Sequence, residues 1–432
     1  MYLSKMVSTA LSTIGVDGLP SFPGGLSEPN AIAANARNAM QLAEQYSLII
    51  PTYSRPEELR RLLQYLAREK VAFQILVLDS GTPASRKENA ATIAALPLKV
   101  WHLQFPSEMP PFEKFWRGVM QVTTPFCSMC ADDDIVLVDS LEPIVHHLIS
   151  HPDVAVAHGH YFTFYNTDHI GLTTVVYASR SIDDATPIER LRCLFRRYEA
   201  VTYGVYRTPV KQRALQDVQG LRSLLGHELG AGAITLVRGK SARLPVFYYG
   251  RSLRPSERYE QWHPVESMLN SPETLFAQYR TYRDVLEANL REVGVAREGD
   301  DTAKVLDLIH LTYLSEFTRP KFLDWLTDQV VKGRGRDDIM KDVWLQLYVG
   351  GNVPSTLLRL ATPLRYVRDR LAPGFKPHHY VARFAGGKDR AVERRTCDGS
   401  VRRYRLYNSF LKSAIATKLN HEPVLGALDQ YV

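Results

Sequence analysis

FCSMCADDDIV, residues 126–136, poses the question on which the fold turns. An apolar run, Phe126–Cys130, leads into three consecutive aspartates, Asp132, Asp133 and Asp134, and the apolar pair Ile135 and Val136 follows. A short apolar run bounded by polar residues reads as a buried strand. Three carboxylates at the end of such a strand repel one another unless a cation or hydrogen-bond donors offset their charge. In open parallel sheets, ligands bind beyond the carboxyl ends of the strands.

Upstream the same pattern recurs. Ser47-Leu48-Ile49-Ile50 is an apolar run stopped by Pro51, with Thr52 and Tyr53 beyond it. After Pro56, Leu59, Leu62, Leu63 and Leu66 recur at helical spacing through Lys70, with Glu57 and Glu58 in the first turn, as a helix start requires. Phe73–Leu78 reads as a second strand, ending in Asp79-Ser80-Gly81, and Leu98–Phe105 as a third. Residues 84–95, 112–122 and 138–150 read as helices between and after the strands, the last with Asp139 as its cap. Strand alternating with helix predicts a mostly parallel α/β sheet flanked by helices, because parallel pairs need a crossover. The ends at Thr52, Asp79 and the triplet then converge.

Beyond Pro152 the character changes. Val154–Tyr165 and Thr173–Ser179 read as strands, Ile188–Tyr198 as a helix, Val201–Tyr206 as a strand and residues 209–225 as helical. Helical patterns dominate at 265–294, 302–332, 337–349 and 405–418. The expected organisation is a Gly-, Pro- and Ser-rich extension over 1–45 with a short helix at 31–43, an α/β domain over 46–264, and a helical carboxy-terminal region over 265–432.

Composition sets bounds. The 432 residues are 45% hydrophobic and 23% charged, enough to bury a large core without staples. Four cysteines are too few for a disulfide framework and suit a reducing compartment. Cys127 and Cys130 have the spacing of a metal pair, but i and i+3 on a strand point to opposite faces, and no second pair completes a zinc set. His158 and His160 share a strand face and have no carboxylate at diagnostic spacing, so they read as core or surface histidines, with His160 facing an acceptor cleft as the alternative. No Walker loop or Gly-x-Gly-x-x-Gly fingerprint occurs, which disfavours nucleotidases and dehydrogenases. No apolar run approaches the roughly 20 residues of a membrane span, and no signal peptide is evident. A cytoplasmic protein is expected, with peripheral contact at an anionic inner membrane face as the alternative. The net charge is +7, and residues 383–412 carry Arg394, Arg395, Arg402, Arg403 and Arg405 with Tyr404 and Tyr407 interleaved. A solvated face is the first reading of that run, an anionic membrane contact the second, and nucleic acid is disfavoured. A homo-oligomer stays open.

Carboxylate oxygens suit Mg2+ or Mn2+, which a protein commonly shares with substrate phosphates, so a metal–diphosphate site gives the triplet a chemical reason. Residues 46–140 resemble the amino-terminal half of family-2-like GT-A glycosyltransferases, on the segments YSLIIPTYSRPEELRRLLQYL, ILVLDSGT and EKFWRGVMQVTTPFCSMCADDDIV; YGVYRTPV, HELGAG and GKSARLP extend the resemblance to about residue 255. It implies a GT-A, Rossmann-like sheet that binds a nucleotide-diphosphate sugar. On that pattern Pro51, Thr52, Tyr53 and Arg55 line the nucleotide pocket, Asp79 accepts bonds from base or ribose, and Lys114 and Gly118 approach the nucleotide. Asp132 and Asp134 match the outer positions of the family's Asp-x-Asp motif and are the expected Mn2+ or Mg2+ ligands, with Asp133 beside them. In inverting members a carboxylate of the second half is the general base on an acceptor hydroxyl, of a glycan, lipid-linked or protein acceptor. Glu228 is the candidate, although His227-Glu228-Leu229 replaces the commoner Glu-Asp pair. Arg251 and Arg254 could neutralise phosphate through forked donors, against the default of surface arginines.

Two rivals remain. Nucleotidyl transfer also places carboxylates at strand ends, but its glycine-rich basic loop is replaced here by Thr52-Tyr53-Ser54-Arg55-Pro56. A non-catalytic glycan or nucleic-acid binding module would keep the sheet without the chemistry.

Overall fold

The computed structural model describes residues 42–166, 170–176, 181–253, 272–296, 301–315, 320–335, 338–339, 389–395, 401–407, 410–411, 414 and 418–431. Strands and helices alternate through the first third: β1 (Tyr46–Thr52), α1 (Pro56–Arg68), β2 (Gln74–Asp79), α2 (Pro83–Ala94), β3 (Val100–Gln104), α3 (Pro111–Val119) and β4 (Phe126–Met129). After the triplet come β5 (Ile135–Val136) and α4 (Leu141–Ser150), then β6 (Val154–Asn166), β7 (Ile170–Val176), α5 (Pro187–Arg196), β8 (Val205–Arg207), α6 (Thr208–Asp217), α7 (Leu224–Arg238) and β9 (Lys240–Ser252). Helices α8 (Pro272–Glu292), α9 (Thr302–Ser315) and α10 (Pro320–Val331) follow, then a hairpin, β10 (Arg390–Arg395) with β11 (Val401–Leu406), and α11 (Glu422–Tyr431).

The sheet order is β10-β11-β7-β6-β8-β4-β1-β2-β3, with β9 paired to both β5 and β6. Strands β3, β2, β1 and β4 are mutually parallel, and β8 enters antiparallel beside β4. The chain therefore winds outward from β1 to β3 and returns to β4 on the other side of β1. That reversal is a topological switch point, where the crossovers leave on opposite faces and a crevice opens.

Both faces of the sheet are covered. Leu48 and Ile50 pack with Leu62, Leu66 and Leu141 on one face, while Ile49 packs with Phe112, Val119 and Ile234 on the other. Cys127 and Cys130 fall in opposite cores, as strand alternation requires. Helix α1 buries Leu59, Leu62, Leu63, Tyr65 and Leu66, with Pro56 at its first turn. Gly118 lets α3 approach the sheet, because a Cβ there would stand 2.4 Å from Leu78 Cδ1.

Some expectations needed correction. Asp139 does not cap α4: a 3-10 turn (Val138–Ser140) precedes the helix, Ser140 takes the N-cap position without a capping bond, and its Oγ donates to Leu137 O at 2.6 Å. The carboxy-terminal region is not helical throughout, since β11 occupies 401–406 and pairs parallel with β7. Alternation explains it: Tyr404 and Leu406 are buried, and the intervening arginines disguised a strand as a basic run. Those arginines are tied to the chain itself. Arg394 bonds Glu422 at 2.7 Å and Asp429 at 2.9 Å, Arg405 bonds Asp389 at 2.9 Å, and Arg402 donates to Leu428 O at 3.2 Å. Residues 1–41 of the extension expected over 1–45, all but Asp338 and Ile339 of the helix expected at 337–349, and Arg254 lie outside the described residues.

Helix α11 docks by its last turn. The Tyr431 ring meets Tyr65 edge-on at 6.1 Å and Phe164 at 5.8 Å, and Arg61 lies 5.8 Å above it. Its hydroxyl is buried and has no hydrogen-bond partner among the described residues. A buried, unpaired hydroxyl costs free energy, so Tyr431→Phe should leave the melting temperature unchanged or raise it. A drop of several degrees would mean the hydroxyl has a partner.

Candidate active site

Pro51 sits where β1 outlives its neighbour. Ile49 O accepts Cys130 N at 2.9 Å, and there the β1–β4 ladder stops. Two residues on, Pro51 turns its backbone to the same side, where no ladder bond remains for the missing N–H to make. Beyond that point β1 and β4 part, and side chains bridge the gap. Thr52 Oγ1 donates to Asp132 Oδ2 at 2.7 Å, and Arg55 reaches Asp132 Oδ1 at 3.4 Å and Asp133 Oδ2 at 3.1 Å. Tyr53 is 55% exposed at the mouth.

The β2 end is fastened to the same turn. Asp79 Oδ1 accepts Gly81 N at 2.8 Å, while Oδ2 accepts Asn89 Nδ2 at 2.8 Å and His102 Nε2 at 2.9 Å. Burial raises the Asp79 pKa, but the bonds from His102, Asn89 and Gly81 outweigh it and hold the pKa below the usual carboxylate value. Ser54 adopts φ 52°, and its Oγ accepts Thr82 N at 3.2 Å, joining the loops after β1 and β2. Lys114 runs beneath both loops, donating to Thr52 O at 2.9 Å and Ser80 Oγ at 2.8 Å. Burial lowers its pKa to about 8, against the pull of Asp132 and Asp79. Gly118, expected beside the nucleotide, is buried against Leu78.

Asp134 is held from another direction. Its Oδ2 accepts Tyr249 Oη at 2.9 Å and its Oδ1 accepts Ser252 N at 2.8 Å, both from β9. Tyr249 Oη also accepts Ala131 N at 3.1 Å, so one phenol closes both ends of the acidic turn. Its ring stacks on Tyr203 at 4.8 Å. Burial, then the charge of Asp133, pushes Asp132 up to about 6 and Asp134 up to about 7. Two carboxylates are thus kept dry side by side with too few partners to hold them fully ionised.

Glu228 lies in α7, whose N-cap Ser223 accepts Gly226 N. Its Oε1 accepts Tyr198 Oη at 3.1 Å. Burial raises its pKa, while Tyr198 and the charge of Arg251 oppose the rise. Arg251 also lowers Asp134, so a single cation on β9 serves carboxylates on both halves of the site. His227 stacks on Phe112 at 4.8 Å. His158 and His160 are buried and held down at about 4 chiefly by desolvation. Sequence reasoning missed Tyr249, Tyr198, His102 and Asn89, each of which acts through a carboxylate it does not neighbour in sequence.

With this geometry in place, residues 47–216 match the family model described as Glycosyl transferase family 2. The match runs from β1 to α6, and that part of the chain is similar to family-2 glycosyltransferases. No curated protein matches the chain in sequence. Among solved structures it is similar to S. aureus TarS 1-349, with 16% identity over 64% of this chain and 73% of that one and a TM-score of 0.40. TarS 1-349 in complex with UDP-GlcNAc gives 18% identity over 63% and 72%, with a TM-score of 0.41. The mannosyltransferase PcManGT from Pyrobaculum calidifontis, in complex with GDP-Man and Mn2+, gives 13% over 70% and 91%, with a TM-score of 0.33. At these TM-scores the three are resemblances only.

The raised carboxylates carry a pH signature. With folded pKa values above the ordinary one, the native state holds more protons than the unfolded chain between about pH 4 and 7. The stability they contribute is present at low pH and lost as pH rises through those values. His158, His160 and His310, at about 4, act in the opposite sense, so the comparison is with Asp134→Asn. The melting temperature of the wild type relative to that variant should rise as pH falls from 8 to 5; a flat difference would refute the assignment.

Proposed function

We propose that the protein moves a sugar from a nucleotide-diphosphate sugar to an acceptor hydroxyl with a bound Mn2+ or Mg2+, by a single inverting displacement in which Glu228 is the general base. The observation that carries this reading is the pair of buried carboxylates, Asp132 and Asp134, at the switch point of the sheet.

The donor set fits a hard dication. It consists of carboxylate oxygens, and each Asp134 oxygen accepts one bond and retains a lone pair. Among the described residues no group of three His, Cys, Asp or Glu side chains is gathered to hold a metal ion. Mg2+ and Mn2+ take one or two carboxylates and complete their shell with water and phosphate oxygens. When bound at Asp134 and Asp132, the ion would offset charge on the departing diphosphate.

The chain's own residues do the rest. Thr52 and Arg55 fix Asp132, and Tyr249 and Ser252 fix Asp134, so the carboxylates are oriented before the donor arrives. The loops after β1 and β2, with Tyr53 at the mouth, form the walls for the nucleotide, and Asp79 and Lys114 hold them together from beneath. Arg251 offers forked donors to phosphate. Glu228 keeps Oε2 for the acceptor hydroxyl, because Tyr198 occupies Oε1; its raised pKa makes it a stronger base than an ordinary carboxylate. Among the described residues no helix is long and apolar enough to cross a membrane. The acceptor hydroxyl belongs to a glycan, a lipid-linked carrier or a protein.

Glu228→Gln should abolish turnover, by roughly 100-fold or more, while nucleotide binding in Mn2+ persists. Unchanged turnover would remove Glu228 from the mechanism. Asp134→Asn should instead weaken nucleotide binding in Mn2+-containing buffer, and unchanged affinity there would contradict the metal assignment.

A further inference from the structure

Arg55 is the one side chain from the β1 loop whose charge reaches the triplet. Its guanidinium lies 3.4 Å from Asp132 Oδ1 and 3.1 Å from Asp133 Oδ2, and its side chain is 39% exposed. The two Asp132 oxygens have different tasks. Oδ2 is tied to Thr52 at 2.7 Å, the bond that bridges β1 to the chain beyond β4. Oδ1 is the oxygen that can be given up without opening that bridge, and it is the one Arg55 holds. A dication approaching Asp132 therefore meets the guanidinium first, and two cations cannot share one carboxylate edge without repulsion.

We infer that Arg55 is the resident counter-ion of the triplet, which a divalent cation displaces from Asp132 and which then turns to the diphosphate of the donor. The inference rests on the metal reading above. The exchange conserves the chemistry of both partners: a hard cation gains carboxylate oxygen, and a planar fork gains two phosphate oxygens in place of carboxylates. The Arg55 side chain is partly exposed, so solvent and an incoming ion reach its guanidinium, whereas Thr52, Tyr249 and Ser252 hold the aspartates still. Arg55 thus makes metal and donor binding mutually supportive: the ion releases the arginine that the donor needs.

The test is a pair of titrations on the full chain, with Mn2+ alone and then with UDP or GDP in saturating Mn2+, for the wild type, Arg55→Met and Arg55→Lys. The expected result is a change of opposite sign in the two arms. Without nucleotide, Arg55→Met should bind Mn2+ about fivefold more tightly; with Mn2+ present, it should bind the nucleoside diphosphate about fivefold more weakly. Arg55→Lys, which keeps charge but loses the fork, should fall between. A merely structural role would weaken both affinities together, and melting curves show whether each variant is folded. The Mn2+ arm decides the counter-ion role, and unchanged nucleotide affinity of Arg55→Met in saturating Mn2+ would overturn the turn to the diphosphate. If the wild type forms a Mn2+ complex but Arg55→Met binds the ion no more tightly, the counter-ion role is overturned while the metal site stands. If neither protein takes up Mn2+, with or without nucleotide, both fail.

Discussion

The bond from Thr52 to Asp132 is short, buried and strategically placed. It spans the gap where β1 and β4 stop pairing, at the point where the winding of the sheet reverses. Pro51 lets the strands part, since it has no N–H to leave unpaired, and the threonine hydroxyl then ties the acidic turn to the end of β1. The crevice that every parallel doubly wound sheet opens at its switch point is in this way furnished with fixed carboxylates. The loops after β1 and β2 gain their shape from the same corner, through Lys114 beneath them and Asp79 beside them.

Burying charge there is costly, and the fold meets the cost from two sides. The β1 loop supplies Thr52 and Arg55 to the first two aspartates. Strand β9, more than a hundred residues later, supplies Tyr249 and Ser252 to the third. Burial, and then the charge of Asp133, outweighs what these donors supply and pushes Asp132 up to about 6 and Asp134 up to about 7. The residual deficit is what a dication and a diphosphate would complete. Arg251 also stands on β9, and its charge opposes the rise of both Asp134 and Glu228.

The acidic turn and the two loops beside it were legible in the sequence because each sits at the end of an apolar run. Four strand ends in order, with Thr52, Asp79 and the triplet at three of them, suffice to imply a converging site. What completes each carboxylate was not legible. Tyr249 and Ser252 come from a strand that meets the acidic turn only through antiparallel pairing with β5, and local periodicity cannot reveal such a pairing. His102 and Asn89 look like ordinary strand and helix residues until Asp79 is seen between them. The hairpin of β10 and β11 was hidden by its arginines, which pair with Glu393 across the hairpin, with Asp389 just before it and with Glu422 and Asp429 of α11. Glu228 was singled out through a resemblance, and its tie to Tyr198, which depends on how α5 packs against α7, was not legible.

The central claim is that the acidic turn at the switch point binds a nucleotide-diphosphate sugar together with a divalent cation. Thermal melting of the wild-type protein against a set of nucleotide sugars, each with and without Mn2+, addresses it directly, because a ligand selective for the folded state raises the melting temperature by mass action. The account predicts that at least one nucleotide sugar raises the melting temperature by several degrees and that most of the rise requires Mn2+. A rise of equal size in metal-free buffer, or no rise with any nucleotide sugar, would contradict it.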